Sequence, residues 1–296
     1  MDGILVVDKP PGPTSFDVVR RVRSVLKLKK VGHTGTLDPA ATGVLPLCLG
    51  DATRVAGYVT ERDKIYEAVV RLGEETDTQD ATGRVVASSE EVPAFTTAEL
   101  DSALGRFRGT FLQVPPMYSA VKVKGRRLYE LAREGKEVER AAREVTVHRL
   151  HLQDRGARQL RLEVHCSKGF FVRTLAHELG RALGCGAHLL SLRRTRSGPF
   201  TLAQALPLQL LESLAADPAA MAARLVSVEE ALSELPELRV GPADAERVRH
   251  GVPLEGHGGF AGRGKLRVTG PDGRVLAVAE VDASRRLRFA RVLVQP

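Results

Sequence analysis

The sequence predicts an α+β fold: a mixed, mostly antiparallel sheet, followed by a small β-rich unit at the C-terminal end. Three observations carry this expectation. Strand-like and helix-like segments follow one another without the regular βαβ alternation of a parallel fold. Short alternating apolar runs are bounded by turn residues, as in Lys64 to Leu72, where Tyr66, Ala68, Val70 and Leu72 share one face. Around Leu235-Pro236-Glu237 the character changes, and the residues beyond are Gly-punctuated and rich in strand formers. We therefore divide the chain into 1–235 and 236–296.

The elements follow in order. A strand over Ile4 to Val7 runs into Lys9-Pro10-Pro11-Gly12-Pro13, which can neither extend a strand nor start a helix. Thr14 and Asp17 have capping-box spacing and open a helix predicted to reach about Lys30, with Val18, Val22, Val25 and Leu26 on its apolar face. Arg20, Arg23, Lys27 and Lys30 form a basic stripe on another face. A short helix is predicted from Ala52 to Thr60 with Asp51 as N-cap. Asp80-Ala81-Thr82-Gly83 reads as a turn before a strand at Arg84 to Val86, and Thr96 with Glu99 caps a helix to about Phe107. Strands are predicted near Thr110 to Val114, Ser119 to Val123, Val145 to Leu152 and Leu160 to Cys166, with a basic helix from Arg126 to Glu134 between them. A helix from Val172 to Leu183, a strand from Ala187 to Arg194 and a Leu/Ala-rich helical stretch over 202–234 complete the larger part. In the smaller part, Lys265 to Thr269 and Val275 to Val281 flank a Pro271-Asp272-Gly273 hairpin turn.

Composition narrows the function classes. The 296 residues are 43% hydrophobic, enough for a substantial core, and no run reaches the ~18 apolar residues of a membrane span. The N-terminus lacks the basic start and apolar run of a secretory signal. The net charge of +8 suits a polyanion such as nucleic acid, and equally a solubilising surface. Cys48, Cys166 and Cys185 are scattered and odd in number, which points to a reducing compartment. His148 and His151 are three apart in a predicted strand without evident carboxylate ligands, so no metal site is expected.

The segment with most chemical content is the Gly-rich loop 32–43. It is no P-loop, since no GK[ST] follows its glycines. Its one carboxylate, Asp38, is restricted by Pro39 to an extended or turn conformation, and the glycines allow close approach of a substrate. On the residues alone, the pattern is better accounted for by a turn aspartate satisfying local N–H groups.

Gly3-Ile4-Leu5-Val6-Val7-Asp8-Lys9-Pro10, the whole of Gly32-His33-Thr34-Gly35-Thr36-Leu37-Asp38-Pro39-Ala40-Ala41-Thr42-Gly43, and Asp63-Lys64-Ile65-Tyr66 resemble the TruB family of bacterial tRNA pseudouridine-55 synthases. So do Pro116-Met117-Tyr118-Ser119-Ala120, the run from His165 to Thr174, and Gly184-Cys185-Gly186-Ala187-His188-Leu189, in the same order and spacing. The C-terminal segment is similar to the small RNA-binding PUA β-barrel. The resemblance implies isomerisation of a T-loop uridine in tRNA by a cytoplasmic enzyme. It implies no cofactor, no metal, no membrane and no obligate protein partner, and nothing in it demands an oligomer. It makes Asp38 the nucleophile, with Arg173 beside it to keep it ionised, and Tyr66 the active-site tyrosine. Attack on C1′, attack on C6 and removal of a sugar proton are all open to a carboxylate there. His33 is implied to fill the space left by a flipped uridine, Leu192 to line the uracil pocket, and Lys9 to support the loop or meet phosphate. Phe171 stands where the family often has tyrosine, so stacking survives and a hydroxyl contact does not. The stripe Arg20, Arg23, Lys27, Lys30 and the cluster Lys122, Lys124, Arg126, Arg127 are the expected phosphate contacts. A non-catalytic RNA-binding or RNA-folding protein of the same fold, and a synthase for another RNA, are the alternatives.

Overall fold

The computed structural model describes residues 1–254, 264–282 and 286–293. Its centre is an eleven-stranded mixed sheet whose main path runs, by strand, 206–207, Gly3–Lys9, Thr42–Leu49, Ala187–Ser197, Lys64–Leu72, Gln159–Cys166, Arg143–Arg155 and Gly109–Gln113. Most pairings are antiparallel, as the sequence predicts. The exceptions at Val7 and Asp8 with Leu206 and Pro207, and at Thr42 and Gly43 with Arg193 and Arg194, are parallel.

The opening strand is apolar on both faces because both faces are covered. Leu5 and Val7 join the main core, while Ile4 and Val6 join a second cluster with Val44, Cys48 and Phe200. Lys64–Leu72 shows the predicted alternation, with Tyr66, Ala68, Val70 and Leu72 buried in the main core. The helix Val172–Ala182 lays Val172, Leu175, Ala176 and Leu179 on that core. Truncating either leucine to alanine would cost about 2–5 kcal/mol.

The first helix has the predicted capping box at Thr14 and Asp17 but ends at Val25, before Lys30. Leu26 caps it, and Lys27 turns left-handed at φ 52°. Lys27 and Lys30 thus leave the helix, and the basic stripe is only partly helical. Asp51 is not an N-cap; the segment opens as a 3-10 turn, Gly50–Val55, and Asp51 pairs with Lys30 at 3.0 Å. The Thr96–Glu99 capping box forms as expected, over a helix Thr97–Gly105.

Two other regions differ more. Instead of a strand from Ser119 and a helix from Arg126, a two-residue hairpin pairs Lys122 with Arg127 and Val123 with Arg126. Lys124 and Gly125, both at positive φ, make its tight turn, and the helix begins only at Leu128. Residues 202–234 are not one helical stretch but short helical turns interrupted by strand pairs. Pro207 and Pro218 break helical continuity, and Leu206 and Val226 pair with the opening strand.

The C-terminal part is a four-stranded sheet, Glu237–Arg239, Lys265–Thr269, Val275–Val281 and Leu287–Val292, with the predicted hairpin at its centre. A helix not foreseen from sequence, Pro242–Arg249, packs Ala245 and Val248 into its core. Leu232 and Leu235 meet Val275 and Val278 at the seam with the larger sheet.

Candidate active site

Asp38 stands on a loop held from three sides. Ser15, buried at the start of the first helix, accepts a hydrogen bond from Leu37 N (2.8 Å) and donates to Leu37 O (3.1 Å). Ala41 N donates to Asp38 O (3.0 Å), closing the turn. From beneath, Lys9 Nζ donates to Pro10 O and Pro39 O, each at 2.9 Å, and Gly12 N also reaches Pro39 O at 2.9 Å. Lys9 is fully buried, and both of these bonds go to main-chain carbonyls. Burial lowers its pKa to about 8, against the pull of the Asp38 charge.

The loop leads into Thr42 and Gly43, which lie parallel to Arg193 and Arg194. Gly43 has φ 101°, and a Cβ there would sit 2.1 Å from Arg194 O, so only glycine allows this approach. Through it, the Asp38 loop abuts the strand whose other neighbour carries Tyr66.

Arg173, in the first turn of its helix and 4% exposed, reaches the carboxylate from the far side. Its Nε lies 2.9 Å from Asp38 Oδ2, off line for a hydrogen bond, while Nη2 donates to Oδ1 at 3.3 Å. The guanidinium is fixed by donating to Thr78 O (3.1 Å) and Tyr118 O (2.7 Å), and Asp80 lies 3.8 Å from Nε. Asp80 also accepts from Thr82 N and the Thr78 hydroxyl, so the predicted turn residue doubles as a second anion beside Arg173. Desolvation raises the Asp38 pKa above the usual carboxylate value. Arg173 opposes that rise and the Asp80 charge adds to it.

Tyr66 is 8% exposed, and burial raises its phenol pKa, so it stays protonated near neutrality. Its cross-strand partner is Arg194, which is 1% exposed and donates to Val44 O (2.7 Å) and Gly35 O (3.1 Å). Sequence reading missed Arg194; the signal was an arginine at a core-facing position of a predicted strand. His33 is half-buried, accepts from Gly35 N at Nδ1 (3.3 Å), and has its pKa lowered by burial and then by Arg194. It is therefore a neutral ring. Phe171 and Leu192 are half-buried, and Leu192 packs on the main core. Gln113, also missed, clamps the Phe171 backbone by accepting from its N–H (2.8 Å) and donating to its carbonyl (3.1 Å).

The eight expected phosphate contacts are all exposed. Arg20 pairs with Asp17, Arg23 donates to Val31 O at 3.5 Å, Lys30 pairs with Asp51, and Arg126 pairs with Glu134. Arg127 lies over the Tyr129 ring. His148 lies beside Asp63 and His165, their donor atoms all within 4.8 Å of one another, whereas His151 does not join them.

Comparison with known proteins accords with this geometry. The profile of the TruB family pseudouridylate synthase N-terminal domain matches residues 23–172, and that of the tRNA pseudouridylate synthase B C-terminal domain matches 173–233. The class so defined is that of pseudouridylate synthases, enzymes that isomerise uridine in RNA. Within that class, the chain belongs to the TruB family. It is 45% identical over 295 residues to the tRNA pseudouridine synthase B of Pseudomonas paraeruginosa, covering 99% of this chain and 96% of that one. It is 53% identical over 255 residues to that of Symbiobacterium thermophilum, covering 85% and 83%. Among solved structures, a Cbf5-Nop10-Gar1 complex matches with a TM-score of 0.79 at 26% identity, over 99% of this chain and 85% of that one.

Proposed function

We propose that the chain isomerises uridine 55 in the T loop of tRNA to pseudouridine, with Asp38 as nucleophile. The observation that supports this best is the Asp38–Arg173 contact of 2.9 Å, set beside the buried Tyr66 in a chain of this family. The reaction balances within the substrate: N1–C1′ breaks, C5–C1′ forms, C5 loses a proton and N1 gains one. No oxidant, reductant or phosphoryl donor is consumed. A carboxylate whose basicity is raised by burial, yet kept ionised by one arginine, suits covalent work on the sugar or the base. Tyr66 stacks on the uracil, and its phenol relays the C5 proton. Extruding the base costs on the order of a few kcal/mol, and the neutral His33 ring offsets part of it by filling the gap. Leu192 and Phe171 line the base pocket.

The exposed cations of 20–30 and 122–127 contact RNA phosphates, and residues 236–296 form a PUA-like RNA-binding domain. The enzyme acts as a monomer in the cytoplasm, without protein partners. The Cbf5 structure is a complex with Nop10 and Gar1, but relatives named tRNA pseudouridine synthase B match this chain over nearly its whole length. The test is to incubate the purified chain with an unmodified tRNA transcript, without additives, and map pseudouridine by nucleotide. Modification at the single T-loop uridine supports the reading. Modification of other RNAs only would move the substrate, and RNA binding without any pseudouridine would favour a non-catalytic RNA-folding role.

A further inference from the structure

Asp63, His148 and His165 come together on the sheet face turned away from Tyr66. On the 159–166 side, Val164 is the cross-strand partner of Tyr66 and is buried with it, whereas His165 partners Ile65 on the opposite face. His148 arrives there through a β-bulge. Val147 pairs with Cys166 and Arg149 with His165, so His148 is the extra residue without a ladder partner. Asp63 precedes the Lys64–Leu72 strand, and its carbonyl is pinned by Gly198 N at 2.9 Å. Three backbone segments, each held by pairing or by such a bond, thus aim one donor atom each at a common point.

That point has the dimensions of a metal site. Asp63 Oδ2 lies 3.1 Å from His148 Nε2 and 3.7 Å from His165 Nε2, and all three atoms lie within 4.8 Å of one another. Zinc bonds of ~2.0–2.2 Å in a tetrahedron place neighbouring ligand atoms about 3.3–3.5 Å apart, so small side-chain rotations close the set. The imidazole rings are tilted by 53° with centroids 4.9 Å apart, and both turn Nε2 toward Asp63 Oδ2. The nearby cations have partners of their own, and buried Lys64 Nζ donates to Thr60 O at 2.7 Å. Lys168 pairs with Glu61 at 3.1 Å, and Arg62 and Arg196 each lie 3.6 Å from Glu234. Asp63 is 47% exposed, His148 39% and His165 36%, which leaves a fourth position to water.

We propose that Asp63, His148 and His165 form a structural divalent-cation site, with Zn²⁺ as the ion that a two-imidazole, one-carboxylate set fits. The ion ties two sheet strands to the 61–63 segment, from which Glu61 reaches Lys265 of the C-terminal sheet at 3.0 Å. It takes no part in the isomerisation, because it lies on the other face from Tyr66.

The test uses the full chain, stripped with chelator and titrated with ZnCl₂ by calorimetry, and with CoCl₂ by visible absorption. One equivalent should bind more tightly than about 10 μM, raise Tm reversibly, and give cobalt bands of four- or five-coordinate type. His148→Ala, His165→Ala and Asp63→Asn should each weaken binding by about tenfold or more, while pseudouridine formation by the metal-free variants equals that of the metal-free parent. Circular dichroism verifies that they fold. Absence of saturable binding by the folded parent overturns the proposal, and so does binding of equal strength in the folded variants, which would assign the ion to another histidine.

Discussion

The molecule keeps two populations of cations, and they are built differently. Lys9, Lys64, Arg173 and Arg194 are buried, and all four donate to main-chain carbonyls. Arg20, Lys30, Arg126 and the rest of the basic surface are exposed, and those that have partners mostly pair with single carboxylates. A surface pair is worth at most about 1 kcal/mol and dissolves readily when a phosphate competes. A buried cation with several donor bonds cannot move without orphaning carbonyls, at about 1–3 kcal/mol each. The first population fixes geometry; the second is held weakly enough to exchange partners, as the proposed phosphate contacts require.

The largest effect should come from Asp38→Asn. Single-turnover assays should show a loss on the order of 10⁴-fold, with tRNA affinity changed less than threefold (about 0.7 kcal/mol). Unchanged turnover would return Asp38 to the role of a turn residue. Arg173→Lys comes next. One ammonium cannot meet Asp38, Thr78 O and Tyr118 O together, so turnover should fall about 10²–10³-fold while charge is conserved. Full activity in that variant would mean that charge alone, not the fork of donors, holds the carboxylate.

The pH profile sharpens the contrast. The Asp38 pKa is raised in the folded state, so activity should fall with acidification through a value above the ordinary 3.8. Its contribution to stability runs oppositely: the folded state binds the proton more tightly, so stability from this group grows as pH falls through the folded value. Activity and Tm, each measured against pH for the parent and for Asp38→Asn, should isolate this group.

Lys9→Met removes a tether without touching substrate, and turnover should drop about tenfold through loss of loop position. The smallest effect belongs to the surface. Lys122→Ala with Arg127→Ala should weaken tRNA binding a few-fold and reduce the salt slope by about 0.7–0.9 for each phosphate no longer neutralised. An unchanged slope would remove the hairpin from the RNA interface.

Much of this was legible in sequence where the signal was local. The capping boxes at Thr14 and Thr96, the alternation around Tyr66 and the loop around Asp38 depend on neighbours within a few residues. The misreadings share a cause in tertiary context. The Leu/Ala-rich stretch 202–234 has helical composition, yet Leu206 and Val226 are drawn to the edge of the opening strand, a partner some 200 residues away in sequence. The hairpin at 122–127 turns on a left-handed Lys124, a residue type that advertises no turn. Arg194 and Gln113 act on main-chain atoms of distant segments, Val44 and Phe171, so no nearby pattern reveals them. The spacing of His148 and His151 likewise hides that the bulge brings His148 to Asp63 and His165.

The carboxylate and its guanidinium lie 135 residues apart, and the two family profiles meet between Val172 and Arg173. During ribosomal synthesis, Asp38 leaves the exit tunnel long before its counter-ion has been translated. The Lys64–Leu72 strand must likewise wait for both of its sheet neighbours, 159–166 and 187–197. A nascent chain stalled at residue 172 would carry Asp38 without the guanidinium that meets it at 2.9 Å. On the proposed roles of Asp38 and Arg173, competence arrives late and all at once, and truncated translation products would be catalytically silent toward the RNAs around them.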